Sequence, residues 1–273
     1  MSFTEHNVNG LIFDTSDAIS AAGGAVHAFT TRHGGVSPAP YDSLNFADNK
    51  GDSSENLLEN YRRLGEAVGF DASRAVGCRQ IHSDLVRIAS EEDAGKILWD
   101  DRPYDADGLI TNVPNLPLFA YGTDCCVITL YDPTSRSIGA VHAGWRGTAS
   151  GIALKAAVSM MSCYGADPYT LRAAIGPSIG KCCFETDSDV ADAFFALLDP
   201  AMDERIEKRG DKYHIDLKAI NRLWLLRAGI DPSRIDVHPD CTKCRPERYW
   251  SHRAMGDQRG GMAAMICLTE DAL

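Results

Sequence analysis

The sequence predicts a mixed α/β fold in one domain. Three observations point there. Segments with strand alternation and segments with helical periodicity follow one another, joined by short loops. No repeat, low-complexity tract or linker composition divides the chain, so residues 1–273 read as a single unit. Hydrophobic residues make up 44% and charged residues 24%, the balance of a globular protein long enough to bury its core without disulfides.

The elements follow in order. Gly24 to Thr31 alternates as a strand. Ser53 or Ser54 caps a helix that carries Leu57, Tyr61, Leu64 and Val68 on one face and ends at Gly69. Leu85 to Ala89 is a short strand. Leu116 to Tyr121, Val127 to Tyr131 and Ser137 to His142 are three more. Asp132-Pro133 turns between the last two, which makes them antiparallel neighbours. Helical spacing returns over Ile152 to Cys163 and closes at Gly165. Leu171 to Ile175 is a strand. Asp187 or Asp189 starts a helix with Val190, Phe194 and Leu197 inward. Leu217, Ile220 and Trp224 share a face of another helix that ends at Gly229. Ile235 to His238 and Met262 to Leu268 are closing strands.

The formal charge of -11 argues against binding of nucleic acid through its phosphates, which needs a basic face, and against an anionic membrane. A local arginine pocket for a small anion remains compatible with it. No apolar run approaches the roughly 20 residues of a membrane span, and Met1 to Gly10 lacks a signal core. Nine cysteines, an odd number, read as mostly buried thiols of a reduced, cytoplasmic protein.

Four segments carry chemistry beyond packing. Thr30-Thr31-Arg32-His33-Gly34-Gly35-Val36-Ser37 runs from a strand into a glycine turn, with Asn45 close behind. Glycine lets a ligand approach, and its N–H groups can hold an anion. Cys78-Arg79-Gln80-Ile81-His82-Ser83 places Gln80 and His82 on one face if extended. Gly122-Thr123-Asp124-Cys125-Cys126 precedes a strand, and Val141-His142-Ala143-Gly144-Trp145-Arg146-Gly147 leads from a strand into a helix. That hairpin brings Cys125 near His142. Cysteine and histidine are ligands for zinc or copper, and equally a thiolate nucleophile with its base. Trp145-Arg146 at a helix start suits a phosphate or carboxylate. Cys241-Thr242-Lys243-Cys244 has the spacing of a zinc half-site, but no second such pair exists and Cys182-Cys183 are adjacent. The expectation there is ordinary thiols.

The ordered set Thr-Thr-Arg-His-Gly-Gly-Val-Ser, Gln-Ile-His, Thr-Asp-Cys, Val-His-Ala-Gly-Trp-Arg-Gly, Ile-Gly-Pro-Ser-Ile-Gly and Cys-Thr…Ser-His-Arg resembles the laccase-domain family. This family is also called YfiH-like, polyphenol oxidase or peptidoglycan editing factor. The resemblance runs from about Val26 to Leu268. It implies layered sheets flanked by helices, a fold related to cysteine hydrolases. It also implies a zinc site, or a copper site, on His82, Cys125 and His142. The activity it implies is phosphorolysis of adenosine, inosine and methylthioadenosine, with adenosine deaminase activity, so the expected partners are a purine nucleoside and phosphate. Multicopper oxidation ranks lower, because eight scattered histidines with no His-x-His pair do not supply several copper sites. A metal-free Cys–His hydrolase or amidase acting on peptidoglycan precursors is the alternative enzyme, and a non-catalytic scaffold is the reading from outside enzymology.

The mechanism expected for such an activity has Arg146, with Arg32 or Arg62, holding phosphate near Gly34-Gly35. Asp124 orients His82 or His142. Ser37, Asn45, Gln80 and Trp145 complete the substrate site. The chain departs from the family pattern at Asn60-Tyr61-Arg62, at Ser251-His252-Arg253-Ala254 and at Arg259-Gly260-Gly261, each of which moves or removes an arginine.

Overall fold

The computed structural model describes residues 3–98 and 100–270. It opens with strands β1 (Phe3–Val8) and β2 (Leu11–Ser16), a helical turn α1 (Asp17–Ser20) and β3 (Ala25–Thr30). Helix α2 (Ser54–Val68) precedes β4 (Val86–Ile88), β5 (Gly108–Thr111) and β6 (Leu118–Gly122). The hairpin β7 (Cys126–Asp132) and β8 (Ser137–Ala143) runs into α3 (Trp145–Ala149) and α4 (Ile152–Tyr164). Then come β9 (Arg172–Ile175), β10 (Glu185–Thr186), α5 (Ser188–Phe195), α6 (Pro200–Asp203), β11 (Ile206–Arg209) and β12 (Lys212–Ile215). Helix α7 (Leu217–Arg227), β13 (Ile235–Val237), α8 (His252–Met255) and β14 (Met262–Leu268) complete the chain.

The strands form a five-stranded sheet in the order β1-β2-β3-β14-β6, a six-stranded sheet β13-β9-β7-β8-β5-β4, and a small sheet β10-β12-β11. The two large sheets are stacked, and the period-two alternation of their strands shows it. In β7, Val127 and Tyr131 pack with Phe29, Leu118, Ala264 and Ile266 of the other sheet. The intervening Cys126, Ile128 and Leu130 pack with Ala153, Ala157 and Ile220 of α4 and α7. In β14, Ala264 and Ile266 face the sheet interface. Ala263 and Met265 face Tyr61 and Leu64 of α2. The order of layers is therefore helix, sheet, sheet, helix. All seven residues of β7, β8 and β14 are buried, as strands covered on both faces must be.

Local signals explain most boundaries. Ser53 accepts the N–H of Asn56 as the cap of α2, and Gly69 ends it at φ 93°. Gly165 ends α4 at φ 69°. The β7–β8 pair is antiparallel, in register Val127 opposite His142. Two expectations change. Leu197 lies beyond α5 and is 38% exposed, because the helix stops at Phe195. The first hairpin, β1–β2, went unread although Asn9 and Gly10, at φ 53° and φ 89°, form the tight turn that the pair Asn-Gly favours. Among the described residues no helix is long and apolar enough to cross a membrane.

Phe119 is the hub beneath α2. Its ring lies 5.1 Å from Tyr61 and 5.8 Å from Phe70, both edge-on, and it is fully buried. Phe119→Ala is expected to destabilise the protein by about 3–5 kcal/mol in urea unfolding. A loss below about 1 kcal/mol would show that this layer repacks freely.

Candidate metal and active centre

The hairpin places the centre. Cys125 sits just before β7, and His142 is the penultimate residue of β8. The segment around His82 reaches the same point from the loop before β4. The donor atoms of His82, Cys125 and His142 all lie within 4.8 Å of one another. Gly144 forms the floor. A Cβ there would meet His82 Cδ2 at 3.0 Å, His142 Cε1 at 3.4 Å and Cys125 Sγ at 3.5 Å, so three side chains converge over a residue that has none. The two imidazoles meet edge-on, with centroids 4.9 Å apart. Burial grades across the centre, from exposed His82 through half-buried Cys125 to buried His142.

One carboxylate organises these groups. Asp107 Oδ1 pairs with His142 Nδ1 at 2.8 Å and accepts the His82 N–H at 3.1 Å. Oδ2 accepts the N–H and hydroxyl of Ser83 at 2.6 and 2.7 Å. Burial pushes the Asp107 carboxyl up, but the bonds from His142 and Ser83 outweigh this and hold it below the usual range. With Nδ1 committed, His142 has Nε2 for the sulfur. Burial also pushes the Cys125 thiol up, yet the two imidazoles bring it down to about 6. Burial pulls His142 down, and the Cys125 sulfur with Asp107 raises it to about 9. The thiolate of Cys125 and the protonated ring of His142 thus each favour the other's charged form. A thiolate and two imidazoles converging on an open side also suit zinc or copper as a three-ligand set. His82 at φ 59° and Asp124 at φ 80° take left-handed backbone on either flank, a strain that such sites often carry.

A cavity of about 250 Å³ opens beside the three groups. Phe46, Gln80, Arg102, Tyr121, Arg259 and Gly261 are among its walls. Gln80 is fixed by a pair of hydrogen bonds to the Tyr121 backbone, donating to O at 2.7 Å and accepting from N at 2.6 Å. Arg102 pairs with Asp48 at 2.7 Å and lies 4.4 Å over the Tyr121 ring. Arg259 differs. Its Nε is buried with no hydrogen-bond partner among the described residues, and burial draws its guanidinium below the ordinary value. On the other side of Cys125, Trp145, Ile179, Phe184 and Arg253 line a smaller hollow of about 140 Å³. A larger concavity, about 780 Å³, lies on α2 away from the centre.

Several sequence-selected residues do other work. Arg32 stacks on Trp250 at 3.9 Å and donates to the carbonyls of Asp42 and Pro246. The N–H groups of Gly34 and Gly35 are taken by Ser43 Oγ at 3.1 and 3.2 Å, leaving no anion cradle. A Cβ on Gly35 would fall 2.1 Å from the Ser43 carbonyl, so close backbone packing explains that glycine. Ser37 accepts from Asn60 inside the loop. Asn45 is a positioning residue, since its Oδ1 accepts the N–H groups of Ala47 and Gly261, both on the cavity wall. Arg62 is exposed and paired with Glu59 and Glu66 on α2. Arg146 is exposed and stacks on Trp145 at 4.2 Å, outside the walls of either cavity. Ala254 is exposed on α8.

Asp124 orients neither histidine. Its carboxylate accepts Thr242 Oγ1 at 2.5 Å and the Arg253 N–H at 2.7 Å, and its carbonyl accepts the Ile179 N–H at 2.8 Å. It pins the turn that carries Cys125. The orienting role falls to Asp107, which the sequence reading missed. Its one signal is a carboxylate set between Ala106 and the apolar run Gly108-Leu109-Ile110. Asp107→Ala is expected to lower the affinity of this centre for added zinc about 10- to 100-fold in chelator competition. Unchanged affinity would reduce Asp107 to a loop anchor.

Residues 26–269 match the family described as multi-copper polyphenol oxidoreductase laccase. The chain is 36% identical over 251 residues to purine nucleoside phosphorylase YlmD of Geobacillus stearothermophilus, covering 91% of this chain and 92% of that protein. It is 31% identical to purine nucleoside phosphorylase LACC1 of Mus musculus over 90% of this chain, which spans 56% of the mouse protein. Its fold superposes on the crystal structure of Bacillus licheniformis hypothetical protein YfiH with a TM-score of 0.90 at 30% identity, covering 98% of this chain and 99% of that one. The ordered motifs, the stacked-sheet fold and these likenesses agree: the chain belongs to the laccase-domain, YfiH-like family.

Proposed function

We propose that the protein is a purine nucleoside phosphorylase acting on adenosine, inosine or methylthioadenosine, with accompanying adenosine deaminase activity. The observation that carries this reading is the buried, unpartnered Nε of Arg259 in the wall that also presents Cys125 and His142. A guanidinium with an unused donor beside a reactive cluster is a site for an anionic oxygen. Phosphate is the anion that phosphorolysis needs. The names of the related proteins support the same reaction.

Arg259 takes the role first expected of Arg146, Arg32 and Arg62. Phosphate held there puts an oxygen near the sugar of a nucleoside in the cavity. The new C–O bond forms at the anomeric carbon as the bond to the purine nitrogen breaks. Phe46 and Tyr121 give the cavity an aromatic wall beside the base. Asp107 keeps the His142 ring fixed, so no reorientation is needed during the reaction. His82, Cys125 and His142 would hold zinc, or copper, which when bound supplies Lewis acidity and an activated water suited to deamination at the purine C6.

A second reading rests on a specific geometry. Cys125, His142 and Asp107 form a thiolate, imidazole and carboxylate in series, the order of a cysteine hydrolase or amidase. Metal content separates the two. Stoichiometric zinc in purified protein supports the first, and metal-free protein that hydrolyses an amide through Cys125 supports the second.

Adenosine incubated with phosphate is expected to give adenine and ribose 1-phosphate, with inosine as a second product, by chromatography. Cys125→Ala should abolish this while leaving thermal unfolding near that of the parent. Full activity in that variant removes the thiol from the chemistry. Arg259→Gln should raise the KM for phosphate about 10- to 100-fold with a smaller effect on the KM for nucleoside, the loss of a charged hydrogen bond of about 1.5–3 kcal/mol. An unchanged phosphate KM would relocate the anion site.

A further inference from the structure

We propose that Cys182, Cys183, Cys241 and Cys244 form a second metal site, closed and structural, that takes a tetrahedral divalent cation of the zinc type. The expectation from sequence was ordinary thiols, because only one spaced pair exists. The fold supplies the other pair. The four sulfurs lie within 4.8 Å of one another. Cys183 Sγ is 3.4 Å from Cys244 Sγ, and Cys182 Sγ is 3.7 Å from it. A tetrahedron with metal–sulfur bonds of about 2.3 Å has sulfurs about 3.8 Å apart. The spacing is thus already near that of a tetrathiolate centre.

Two tight turns present the ligands. In one, the N–H groups of Cys183 and Phe184 donate to the Gly180 carbonyl, each at 2.9 Å. In the other, the N–H groups of Cys244 and Arg245 donate to the Cys241 carbonyl at 3.1 and 3.2 Å. The turns are tied together where Ser178 bridges Cys241 and where Thr242 donates to the Ser178 carbonyl at 3.2 Å. Gly180 gives its own N–H to Cys241 Sγ at 3.2 Å, the kind of bond that supports a metal-bound thiolate. A Cβ on Gly180 would meet Cys182 Sγ and Cys241 Cβ, each at 3.3 Å, so the cluster uses a position without a side chain. Four thiols gathered this way as neutral groups make only weak S–H contacts with one another. A cation reverses that balance. Each thiol that ligates releases its proton to solvent, one metal–sulfur bond forms per thiolate, and no electron is transferred.

This centre is separate from the one at Cys125 but braces it. Thr242, between two of the proposed ligands, donates to Asp124 beside Cys125. Ile179 and Phe184, on the other turn, line the smaller hollow. The cation would therefore staple two loops that shape the wall next to the reactive thiol.

The test uses the full chain, purified reduced and loaded with zinc. The Cys182→Ser, Cys244→Ser double variant, altered at two exposed positions, is expected to hold one equivalent less zinc per chain by elemental analysis. Cobalt-loaded parent should show thiolate-to-metal absorption that this variant largely loses. A measurement without substitution guards against misfolding. Peptide-mapped alkylation should find all four thiols protected in the zinc-loaded parent and reactive together after chelation. Equal zinc content in parent and variant, alkylation of Cys182 and Cys244 indifferent to zinc, or a Cys183–Cys244 disulfide in zinc-loaded protein would each overturn the proposal.

Discussion

The site depends on one buried carboxylate. Asp107 bonds to His142 through the ring and to His82 and Ser83 through the backbone, so two of the three converging groups take their positions from a single side chain. Burying an ion is unfavourable unless its oxygens are satisfied. Here both oxygens have donors, and the site geometry is what satisfies them. Structure and chemistry are thus the same interaction seen twice. The loop before β4 folds as it does because its N–H groups complete the carboxylate. The imidazole of His142 stands as it does because its Nδ1 does so too.

The stacked sheets supply the other half. β7 and β8 are covered on both faces, which leaves Cys125 and His142 little freedom at the ends of the hairpin. The α3 turn is pinned from behind. Trp224 on α7 donates to the Thr148 carbonyl at 2.7 Å, and Asn221 donates to its hydroxyl at 2.9 Å. A rigid thiol and a rigid imidazole meet a third group on an exposed loop. That division is common where a scaffold fixes the chemistry and loops adjust what reaches it.

Much of this was legible in the sequence. The caps of α2 and α4, the β7–β8 hairpin and the nearness of Cys125 to His142 follow from local signals, and the family resemblance implied that His82 joins them. The arginines did not. Arg32 and Arg62 sit in conspicuous segments, but guanidinium groups are long, and carbonyls or neighbouring glutamates took them. Arg259 reads along the chain as a displacement of a familiar residue, yet in the fold this half-buried arginine combines a buried, unused Nε with a place on the cavity wall, while its Nη1 donates to the Gly260 carbonyl. Asp107 was invisible because an orienting role is a matter of distance in space, and nothing in its neighbourhood along the chain marks it. The four-cysteine cluster escaped for the same reason: β9 and β13 are parallel neighbours, and the loops after them carry the two halves together.

The register of β7 against β8 has a consequence at the far end of the molecule. Cys126 and Cys125 are successive residues. The first is buried against the helices, bonded to Ser178, with its thiol pushed up by burial to about 12. The second faces the reactive centre. Side chains on a strand alternate, so sliding one strand by a single residue exchanges the faces they present. The turn between Asp132 and Ser137 sets that alignment, held by the Ser135 N–H and the Thr170 hydroxyl on the Asp132 carboxylate. The length of this remote turn therefore helps fix how Cys126 and Val127 stand against Ala143 and His142 at the other end of the hairpin.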